Sequence, residues 1–471
     1  MLQRSVTVRN ALKGVCRSPS LPRVSAELAD VAAEYPAHLS QVRTRFDRAL
    51  AACGYCGVLI YSGPLEEIFR DDQAYPFKAH AWFKAWVPLT DVPDCFLYYE
   101  PGRAPVVLFH KPVDYWYKPA PLPQSFWTQY VDLRAVPDRT AARVALPKKL
   151  AGIAYIGSAI PELASWGIES LNPPELLTRL EYDRAVKTRY ELACLRRASR
   201  LGARGHLAAA RAFAGGASEF EIELAFLAAC GLREQELPYN PIVALNENAA
   251  VLHYQLLERT RPATVHSLLI DAGAEFGGFA SDITRTYAHG DADFGALVGH
   301  FDDLQQSLCA SVHAGIDWRD VHLSAHRLVA ELLRDAGIIT CDAEEAVETG
   351  VSSVFLPHGL GHLLGLQVHD VGGLLRAPEG DEIPRPEGHP FLRLTRVLEA
   401  GFVVTMEPGI YFIGQLLEQA RSDHRATRID WAKVDSLRKF GGIRIEDDLA
   451  ITASGCENLT RDAFRAESTH S

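Results

Sequence analysis

Three histidines lie within the short segment HGLGHLLGLQVHD, which runs from His358 to Asp370. The i, i+4 spacing of His358 and His362 occurs in helical zinc motifs, but Gly359 and Gly361 disfavour a stable helix. No glutamate follows the first histidine, so the segment is not a His-Glu-x-x-His protease motif. A single histidine is usually structural, whereas three in one glycine-rich segment indicate chemistry. The spacing therefore predicts a glycine-rich turn and strand that brings imidazoles close to a small ligand.

Four carboxylates elsewhere in the chain are embedded in apolar, strand-like segments or end them. Burying an unpaired charge is costly, so carboxylates in such positions commonly bind a metal or take part in catalysis. Together with one histidine they form an oxygen-rich ligand set, which suits two divalent ions such as Mn²⁺ or Co²⁺ better than a thiolate zinc site does. Two such ions can activate a water molecule for attack on an amide. The four carboxylates are Asp271, Asp282, Glu407 and Glu446.

The segments around these residues resemble those of the pita-bread metallopeptidases, the family of methionine aminopeptidase, aminopeptidase P and prolidase. The similarity is greatest to the Xaa-Pro dipeptidases (prolidases) and the organophosphorus acid anhydrolases. Besides the histidine segment, it is carried by LPYNPIVALNENAAVLHY, FLRLTRVLEAG and the N-terminal AYPFKAHAWFKAWVPLTDVPDC. The resemblance implies an α+β protein in which a smaller N-terminal α/β domain precedes a C-terminal pita-bread catalytic domain. The implied metal ligands are Asp271, Asp282, His362, Glu407 and Glu446.

The same resemblance implies a dinuclear metal-dependent hydrolase that cleaves Xaa-Pro dipeptides. Glu407 would take and return the proton, His369 would stabilise the oxyanion, and His358 would lie behind the metal ligands. The implied cofactor is two divalent ions per chain, with Mn²⁺ expected first and Co²⁺ or Zn²⁺ as alternatives. An aminopeptidase P acting on longer peptides is the alternative enzyme. A metal-free binding module is disfavoured because all five ligand residues are present, and organophosphate hydrolysis is expected as a side activity.

Four further residues are expected to contact the substrate. An arginine on a strand-like segment, such as Arg393, is commonly a surface ion pair, but its planar guanidinium suits the free carboxylate of a substrate proline. His253 and Tyr239 could be structural, and the resemblance places both at the substrate pocket. Asp72, next to Asp71, lies in a loop that is either solvated or reaches the site of a second subunit. The resemblance therefore also implies a homodimer.

The bulk composition limits the partners and the location. The chain has 471 residues and a formal net charge of −11, which disfavours binding to nucleic acid or to anionic membranes. Because no run of 18 apolar residues is present, no membrane span is expected. The nine cysteines are scattered and odd in number, which favours free thiols in a reducing cytoplasm over disulfides. Cys53 and Cys56 form a CxxC without a second one, so a redox or zinc role is disfavoured.

The order of sequence patterns predicts how the chain is divided. Residues 1–24 are basic and free of acidic side chains, and we interpret them as a disordered extension. Residues 25–180 alternate helical and strand signals and would form the α/β domain, while residues 181–471 would form the catalytic domain. A charged amphipathic helix is expected near 182–202, and a second helix begins at a capping box of Ser218 and Glu221 and ends at Gly231. Beyond Val265, strands are expected to dominate, including a hairpin that brings Asp271 and Asp282 together.

Overall fold

The computed structural model describes residues 22–469, and side chains are described from residue 28 onward. Most of the expected 1–24 extension therefore lies outside the described residues. Helix α1 begins the described chain and spans Pro22–Cys53. Seven of its apolar residues recur at helical spacing and are buried, so one face of α1 packs against the core. These buried residues are Val31, Tyr35, Leu39, Val42, Phe46, Ala49 and Leu50.

The N-terminal part is built around a mixed six-stranded sheet with the strand order β4-β3-β2-β1-β5-β6. Strand β1 pairs antiparallel with β2 and parallel with β5, and β1, β2 and β5 are wholly buried apolar segments. The alternating helix and strand signals of the sequence predicted an α/β layer, and this arrangement confirms it. The strands are β1 Gly57–Tyr61, β2 Phe96–Tyr99, β3 Val106–His110, β4 Asp132–Val136, β5 Ile153–Ile156 and β6 Ser170–Leu171. The helices between and after them are α2 Ala81–Lys84, α3 Arg139–Ala145, α4 Leu163–Trp166 and α5 Pro174–Arg184.

Two helices, α6 Arg189–Ala214 and α7 Glu219–Cys230, follow this layer. The single helix expected near 182–202 is wrong, because the chain leaves α5 at Arg184 and starts α6 after Thr188. Thr188 and Glu191 form a capping box that satisfies the first amides of α6. The second capping box, between Ser218 and Glu221, is confirmed, and a left-handed Gly231 ends α7.

The C-terminal part combines short sheets with long helices, so the expectation that strands dominate beyond Val265 is wrong. Helices α8 and α9 lie between the segment that holds Asp271 and Asp282 and the segments that hold Glu407 and Glu446. Their buried apolar residues recur every three or four positions. This spacing is the period of a helix, whereas a strand facing a core would show alternation. The helices are α8 Ala292–Ser311, α9 Trp318–Asp335, α10 Ala343–Glu348, α11 Ser352–Phe355, α12 Gly414–Arg421, α13 Trp431–Leu437 and α14 Leu459–Ser468.

The four carboxylates singled out in the sequence lie at or beside the ends of paired strands in three small sheets. One sheet has the order β11-β8-β7, another β14-β17-β18, and a third pairs β15 with β16. The expected hairpin is confirmed, because Asp271 on β8 pairs with Thr284 on β11. The strands are β7 Ile242–Leu245, β8 Ser267–Asp271, β9 Glu275–Phe276, β10 Phe279–Ala280, β11 Thr284–Ala288, β12 Leu375–Ala377, β13 Gly380–Glu382, β14 Val403–Met406, β15 Gly409–Tyr411, β16 Gly442–Arg444, β17 Asp447–Ile451 and β18 Cys456–Asn458.

Within residues 22–469, no helix is both long and apolar enough to cross a membrane. The eight cysteines of this part of the chain are free thiols, and Cys53 and Cys56 are among them. One buried cluster joins the two halves of the molecule, because N-terminal residues such as Trp86 pack in the same core as Leu364 and Val403 beside the histidine segment. The α+β architecture expected from the sequence is therefore confirmed.

Candidate active site

A cavity of about 1430 Å³ lies between the N-terminal layer and the C-terminal sheets. His80 and Trp82 line it from the N-terminal side. All five predicted metal ligands line it from the C-terminal side, together with five other predicted residues, Tyr239, His253, His358, His369 and Arg393. The cavity therefore brings together nearly all the residues that the sequence predicts to bind metal or substrate.

The strand pairing explains why distant carboxylates converge here. Asp271 is the last residue of β8, and Asp282 returns two residues before β11, which pairs with β8. Glu407 follows β14 directly, while Glu446 lies between β16 and β17, and β17 pairs with β14. A bridge between Thr284 and Glu446 joins the two sheets. Neighbouring strand ends therefore place the four carboxylates around one point.

The histidine segment approaches β14 closely, and a glycine makes this possible. A Cβ atom on Gly361 would lie 2.0 Å from the carbonyl oxygen of Thr405. The amide of Thr405 donates a 3.0 Å hydrogen bond to the carbonyl of His362. Only an isolated bridge between Leu363 and Val404 forms, so the strand expected within the histidine segment is wrong. The glycine-rich turn is confirmed, and its function is to bring His362 to the carboxylates.

The donor atoms of Asp282, His362 and Glu446 all lie within 4.8 Å of one another. His362 Nε2 is 3.4 Å from Asp282 Oδ2 and 3.7 Å from Glu407 Oε1. The other ring nitrogen, Nδ1, lies 3.0 Å from the carbonyl oxygen of Leu363. Burial opposes protonation of His362, but the neighbouring Asp282 and Glu407 prevail and raise its pKa to about 9, so an ion bound at Nε2 would replace a proton there.

Hydrogen bonds from neighbouring residues hold two of the carboxylates. The Tyr239 hydroxyl donates to Asp271 Oδ1 at 2.8 Å, and Arg444 Nη2 donates to Asp271 Oδ2 at 2.7 Å. The Thr284 hydroxyl donates to Glu446 Oε2 at 2.7 Å. Such contacts orient ligand carboxylates and fix the geometry of a metal site. Tyr239, expected at the substrate, therefore also contacts a predicted ligand.

Arg444 was missed as a functional residue by sequence reasoning. Its buried guanidinium contacts the Tyr411 hydroxyl at 3.0 Å and the Thr284 hydroxyl at 3.2 Å as well as Asp271. The only signal in the sequence is the alternation of Arg444 and Glu446 on one face of a strand-like segment. Tyr411 and Thr284 carry no comparable signal, because their role depends on contacts between separate strands.

The electrostatics of the cluster favour the binding of cations. Burial and the neighbouring Asp282 raise the pKa of Glu407 to about 7, and burial raises the pKa of Glu446 well above its usual range. Burial also raises the pKa of Asp271, although Arg444 opposes the shift. The buried negative charges thus exceed what Arg444 can balance. The oxygen-rich donor set with one imidazole fits hard divalent ions, which would supply the missing positive charge.

His358 lies beside the carboxylate cluster. Its Nε2 is 2.8 Å from the Tyr411 hydroxyl, and its Nδ1 is 2.8 Å from the carbonyl oxygen of Gly359. Nδ1 is also 3.9 Å from Glu407 Oε2. Burial lowers the pKa of His358 to about 4, so the ring is neutral near pH 7. The position behind the ligands agrees with the sequence expectation.

Three predicted substrate residues face the open part of the cavity. The ring of His369 lies 4.4 Å from that of His362, and burial beside His362 lowers its pKa to about 4. His253 and Arg393 are exposed on the cavity wall. Among the described residues, no carboxylate pairs with Arg393. An unpaired guanidinium beside a metal-ligand cluster is positioned to bind an anionic group.

Asp71 and Asp72 do not line the cavity of their own chain. Both are exposed, and they accept hydrogen bonds from the amide and the side chain of Gln73. Exposed aromatic residues, including Phe69 and Tyr75, lie in the same segment. A role of Asp72 at an active site would therefore require a second copy of the chain.

Comparison with known proteins agrees with this geometry. Residues 33–182 match the model of the Xaa-Pro dipeptidase N-terminal domain, and residues 193–453 match that of metallopeptidase family M24. The chain belongs to metallopeptidase family M24, which shows that the fold is the pita-bread fold preceded by an N-terminal domain. The family places the cluster among metal-dependent hydrolase sites.

Relatives that match more than nine-tenths of the chain are described more narrowly, as Xaa-Pro dipeptidases. The Xaa-Pro dipeptidase of Shewanella loihica is 46% identical over 435 residues, which is 92% of this chain and 99% of that protein. The Xaa-Pro dipeptidase of Stenotrophomonas maltophilia is 45% identical over 438 residues, 93% of this chain and 98% of that protein. Aminopeptidase P from E. coli, solved with the inhibitor Pro-Leu, shares the fold with a TM-score of 0.67 at 22% identity, covering 91% of this chain and 99% of that one.

Proposed function

We propose that this chain is an Xaa-Pro dipeptidase that requires two divalent metal ions. The observation that carries the proposal is one cavity that holds both a buried five-residue ligand cluster and an unpaired guanidinium, that of Arg393. The full-length similarity to Xaa-Pro dipeptidases supports the same substrate class. The residues that would hold the ions are Asp271, Asp282, His362, Glu407 and Glu446.

When bound, two divalent ions lower the pKa of a water molecule and polarise the scissile carbonyl. The chain's own residues bind the substrate and move the proton. Glu407 accepts the proton of the attacking water and returns it to the leaving prolyl nitrogen, as a carboxylate beside the reacting atoms can. His369, neutral near pH 7, donates to the oxygen that becomes negative during attack.

Arg393 distinguishes a dipeptide from a longer peptide. In a dipeptide the free carboxylate lies one residue beyond the scissile bond, whereas a longer peptide places an amide there. A guanidinium forms a charge-assisted hydrogen bond with the carboxylate, whereas an amide leaves the guanidinium poorly paired. His253 lines the same wall, and we propose that it contacts the substrate as well. Aminopeptidase P activity on longer peptides is the alternative that Arg393 disfavours.

The substrate bond itself calls for a dedicated site. The prolyl nitrogen of the scissile amide carries no hydrogen, so a peptidase that must bind an N–H at this position cannot recognise an Xaa-Pro bond. The cavity wall near His369 includes Leu366, Val368 and Phe391, whose apolar side chains suit a pyrrolidine ring. We therefore place the proline between this apolar wall and Arg393.

We propose Mn²⁺ as the preferred ion because four of the five ligands are carboxylates. Protein stripped with a chelator should lose Xaa-Pro cleavage, and Mn²⁺ or Co²⁺ should restore it better than Zn²⁺. Ala-Pro and Leu-Pro should be cleaved, whereas Ala-Ala and the tripeptide Ala-Pro-Gly should be poor substrates.

Asp282→Asn should lose at least one ion, while the surface variant Asp293→Asn should keep both. Full activity in protein that elemental analysis shows to be free of metal would exclude the mechanism.

We also propose a cytoplasmic homodimer. The loops around residues 64–80 and 111–126 expose an unusual number of aromatic and apolar side chains, and patches of this kind mark protein contacts. Phe69, Val113, Tyr115 and Trp116 are 86%, 99%, 87% and 78% exposed. A partner that covers these loops would bring Asp72 near the cavity of a second copy. The free cysteines are consistent with a reducing compartment.

A further inference from the structure

A second cluster of imidazoles lies outside the carboxylate cluster. His322 and His326 are four residues apart on one face of α9, and His389 approaches them from the segment between β13 and β14. One ring nitrogen from each residue lies within 4.8 Å of the others. The three ring centroids are 4.5–4.7 Å apart. None of these histidines is part of the proposed peptidase chemistry.

The hydrogen bonds of this cluster are incomplete. His326 Nδ1 is 3.0 Å from the Ser352 hydroxyl, and His322 Nε2 is 2.9 Å from His389 Nδ1. His326 Nε2 and His322 Nδ1 are buried and have no hydrogen-bond partner. Buried polar nitrogens are normally satisfied by a hydrogen bond, a water molecule or an ion. An ion between the three rings would satisfy His326 Nε2, whereas His322 Nδ1 is the other nitrogen of the ring that contacts His389. Among the described residues, no carboxylate pairs with the cluster.

The three rings are also in the chemical state that metal binding requires. Burial lowers the pKa of His322 to about 3 and that of His326 to about 2, and it lowers the pKa of His389 as well. All three imidazoles are therefore neutral near pH 7, with a lone pair on one nitrogen each. A metal ligand must be a neutral imidazole. The proton shared between His322 Nε2 and His389 Nδ1 would move to the outer nitrogen of its ring when both atoms bind an ion.

The spacing suits a tetrahedral ion. Two nitrogens bound to one tetrahedral Zn²⁺ at ordinary Zn–N lengths lie about 3.3 Å apart. The 2.9 Å separation between His322 Nε2 and His389 Nδ1 is close to this value, and His326 Nε2 is the free atom of the third ring. Small side-chain rotations would open the remaining space. The Ser352 hydroxyl already holds His326 Nδ1, as the outer partner of a metal-binding histidine does.

A small cavity provides a fourth position. A space of about 200 Å³ is lined by His322 and His389, and Gly388 and Pro390 form part of its exposed rim. His358 lines both this space and the large active-site cavity. Three histidines with an open fourth position form a recurring zinc arrangement.

We propose that His322, His326 and His389 bind a transition-metal ion, most readily Zn²⁺, in addition to the ions of the carboxylate cluster. Imidazole ligands favour zinc, copper and nickel, whereas carboxylates favour manganese, so the two sites prefer different metals. The ion would tie helix α9 to the segment that continues through Phe391 to Arg393. The proposal does not depend on the peptidase assignment.

The test counts total divalent metal per chain. Manganese-loaded wild-type protein is equilibrated with buffered Zn²⁺ and analysed for both elements. We expect one more ion per chain in the wild type than in His389→Ala, whose substitution lies in a half-buried segment and spares the core of α9. The matched control His300→Ala, an exposed histidine on α8, should keep the wild-type total. Exchange of manganese for zinc at the carboxylate cluster does not change this difference.

Two further variants keep the test decisive if His389→Ala is unstable. Ser352→Ala removes no ligand and should weaken zinc binding by roughly 10- to 100-fold. In the cobalt-loaded protein, His389→Cys should produce a thiolate-to-cobalt charge-transfer band that the wild type lacks. Equal metal totals in the wild type and His389→Ala, or a His389→Cys protein without the cobalt band, would show that the cluster is only a packed group of imidazoles.

Discussion

At the scale of single residues, the role we propose for Arg393 separates a dipeptidase from an aminopeptidase. Losing a hydrogen bond to a charged group costs about 1.5–3 kcal/mol, which corresponds to roughly ten- to hundredfold in kcat/KM. Arg393→Ala should therefore impair cleavage of Ala-Pro strongly and leave metal content unchanged. A C-terminally amidated Ala-Pro should be a poor substrate already and should change little.

The exposed Arg376 on β12 supplies a matched control, because Arg376→Ala removes a similar charge outside the cavity. It should leave kcat/KM for both substrates at the wild-type value. If Arg393→Ala loses the free and the amidated substrate equally, Arg393 is structural. The preference for dipeptides would then have to come from another group.

Tyr239 is a second residue whose role can be tested, because it contacts a predicted metal ligand as well as lining the cavity. Because its hydroxyl donates to Asp271, Tyr239→Phe should weaken metal binding by about 10- to 100-fold. A residue that only bound substrate would instead raise KM at saturating metal. Tyr55→Phe is the control, because it removes a comparable hydrogen bond, to Glu175, outside the cavity. Titration of metal-free protein with Mn²⁺, followed by measurement of KM, distinguishes the two roles.

At the scale of elements, a buried ion-pair network joins the end of α5, the linker between α5 and α6, and the histidine segment. Asp370 follows His369 directly, and its carboxylate accepts hydrogen bonds from Arg184 Nε at 3.1 Å and from Lys187 Nζ at 2.9 Å. The Arg184 guanidinium also lies 4.7 Å from the ring centroid of Trp82 in the N-terminal layer. The network therefore ties the segment of His369 to α5, to the linker after α5 and, through Trp82, to α2.

Asp370→Asn should destabilise the protein by about 3–5 kcal/mol, because two buried cations lose their counter-charge. Burial opposes ionisation of Asp370, but Arg184 and Lys187 prevail and lower its pKa. A lowered carboxyl pKa contributes stability above the unfolded value of about 4, and this contribution is lost as the pH falls through the folded pKa. Thermal unfolding should thus show a difference between wild type and variant that is full at pH 7 and shrinks under acid conditions.

The exposed pair of Arg179 and Glu379 provides the comparison. Glu379 is two-thirds exposed, and surface pairs contribute about 0–1 kcal/mol. Glu379→Gln should therefore shift the unfolding transition little at any pH. A loss of stability in Asp370→Asn no larger than in Glu379→Gln would mean that the buried network is not a structural link.

At the scale of the whole molecule, the exposed aromatic loops predict self-association. Light scattering should give twice the chain mass of 51.9 kDa. A double substitution of Phe69→Asp and Trp116→Asp places charges in the expected interface and should yield monomers. Val144→Asp changes an equally exposed apolar residue on α3, outside these loops, and should remain dimeric. A wild-type protein that is monomeric and fully active would exclude the shared-site role of Asp72.

Much of the site could be predicted from the sequence, because it depends on residue type and local pattern. Carboxylates in apolar strands and histidines between glycines are visible without coordinates, and all five predicted ligands line one cavity. The capping box at Ser218 and the hairpin from Asp271 are equally local. The break between α5 and α6 was missed because the capping box of Thr188 and Glu191 lay inside an otherwise continuous helical pattern.

The tertiary structure alone decided the contacts between residues far apart in the chain. Arg444 reaches Asp271 across 173 positions, and His322 meets His389 across 67. No period or spacing encodes such pairs, because they form only when separate strands and helices pack together. The sequence by itself thus determined which donors the chain carries and the metallopeptidase family that it resembles. Packing decided which of those donors are buried, which remain unpaired and which share a cavity, because burial and proximity exist only in the folded chain.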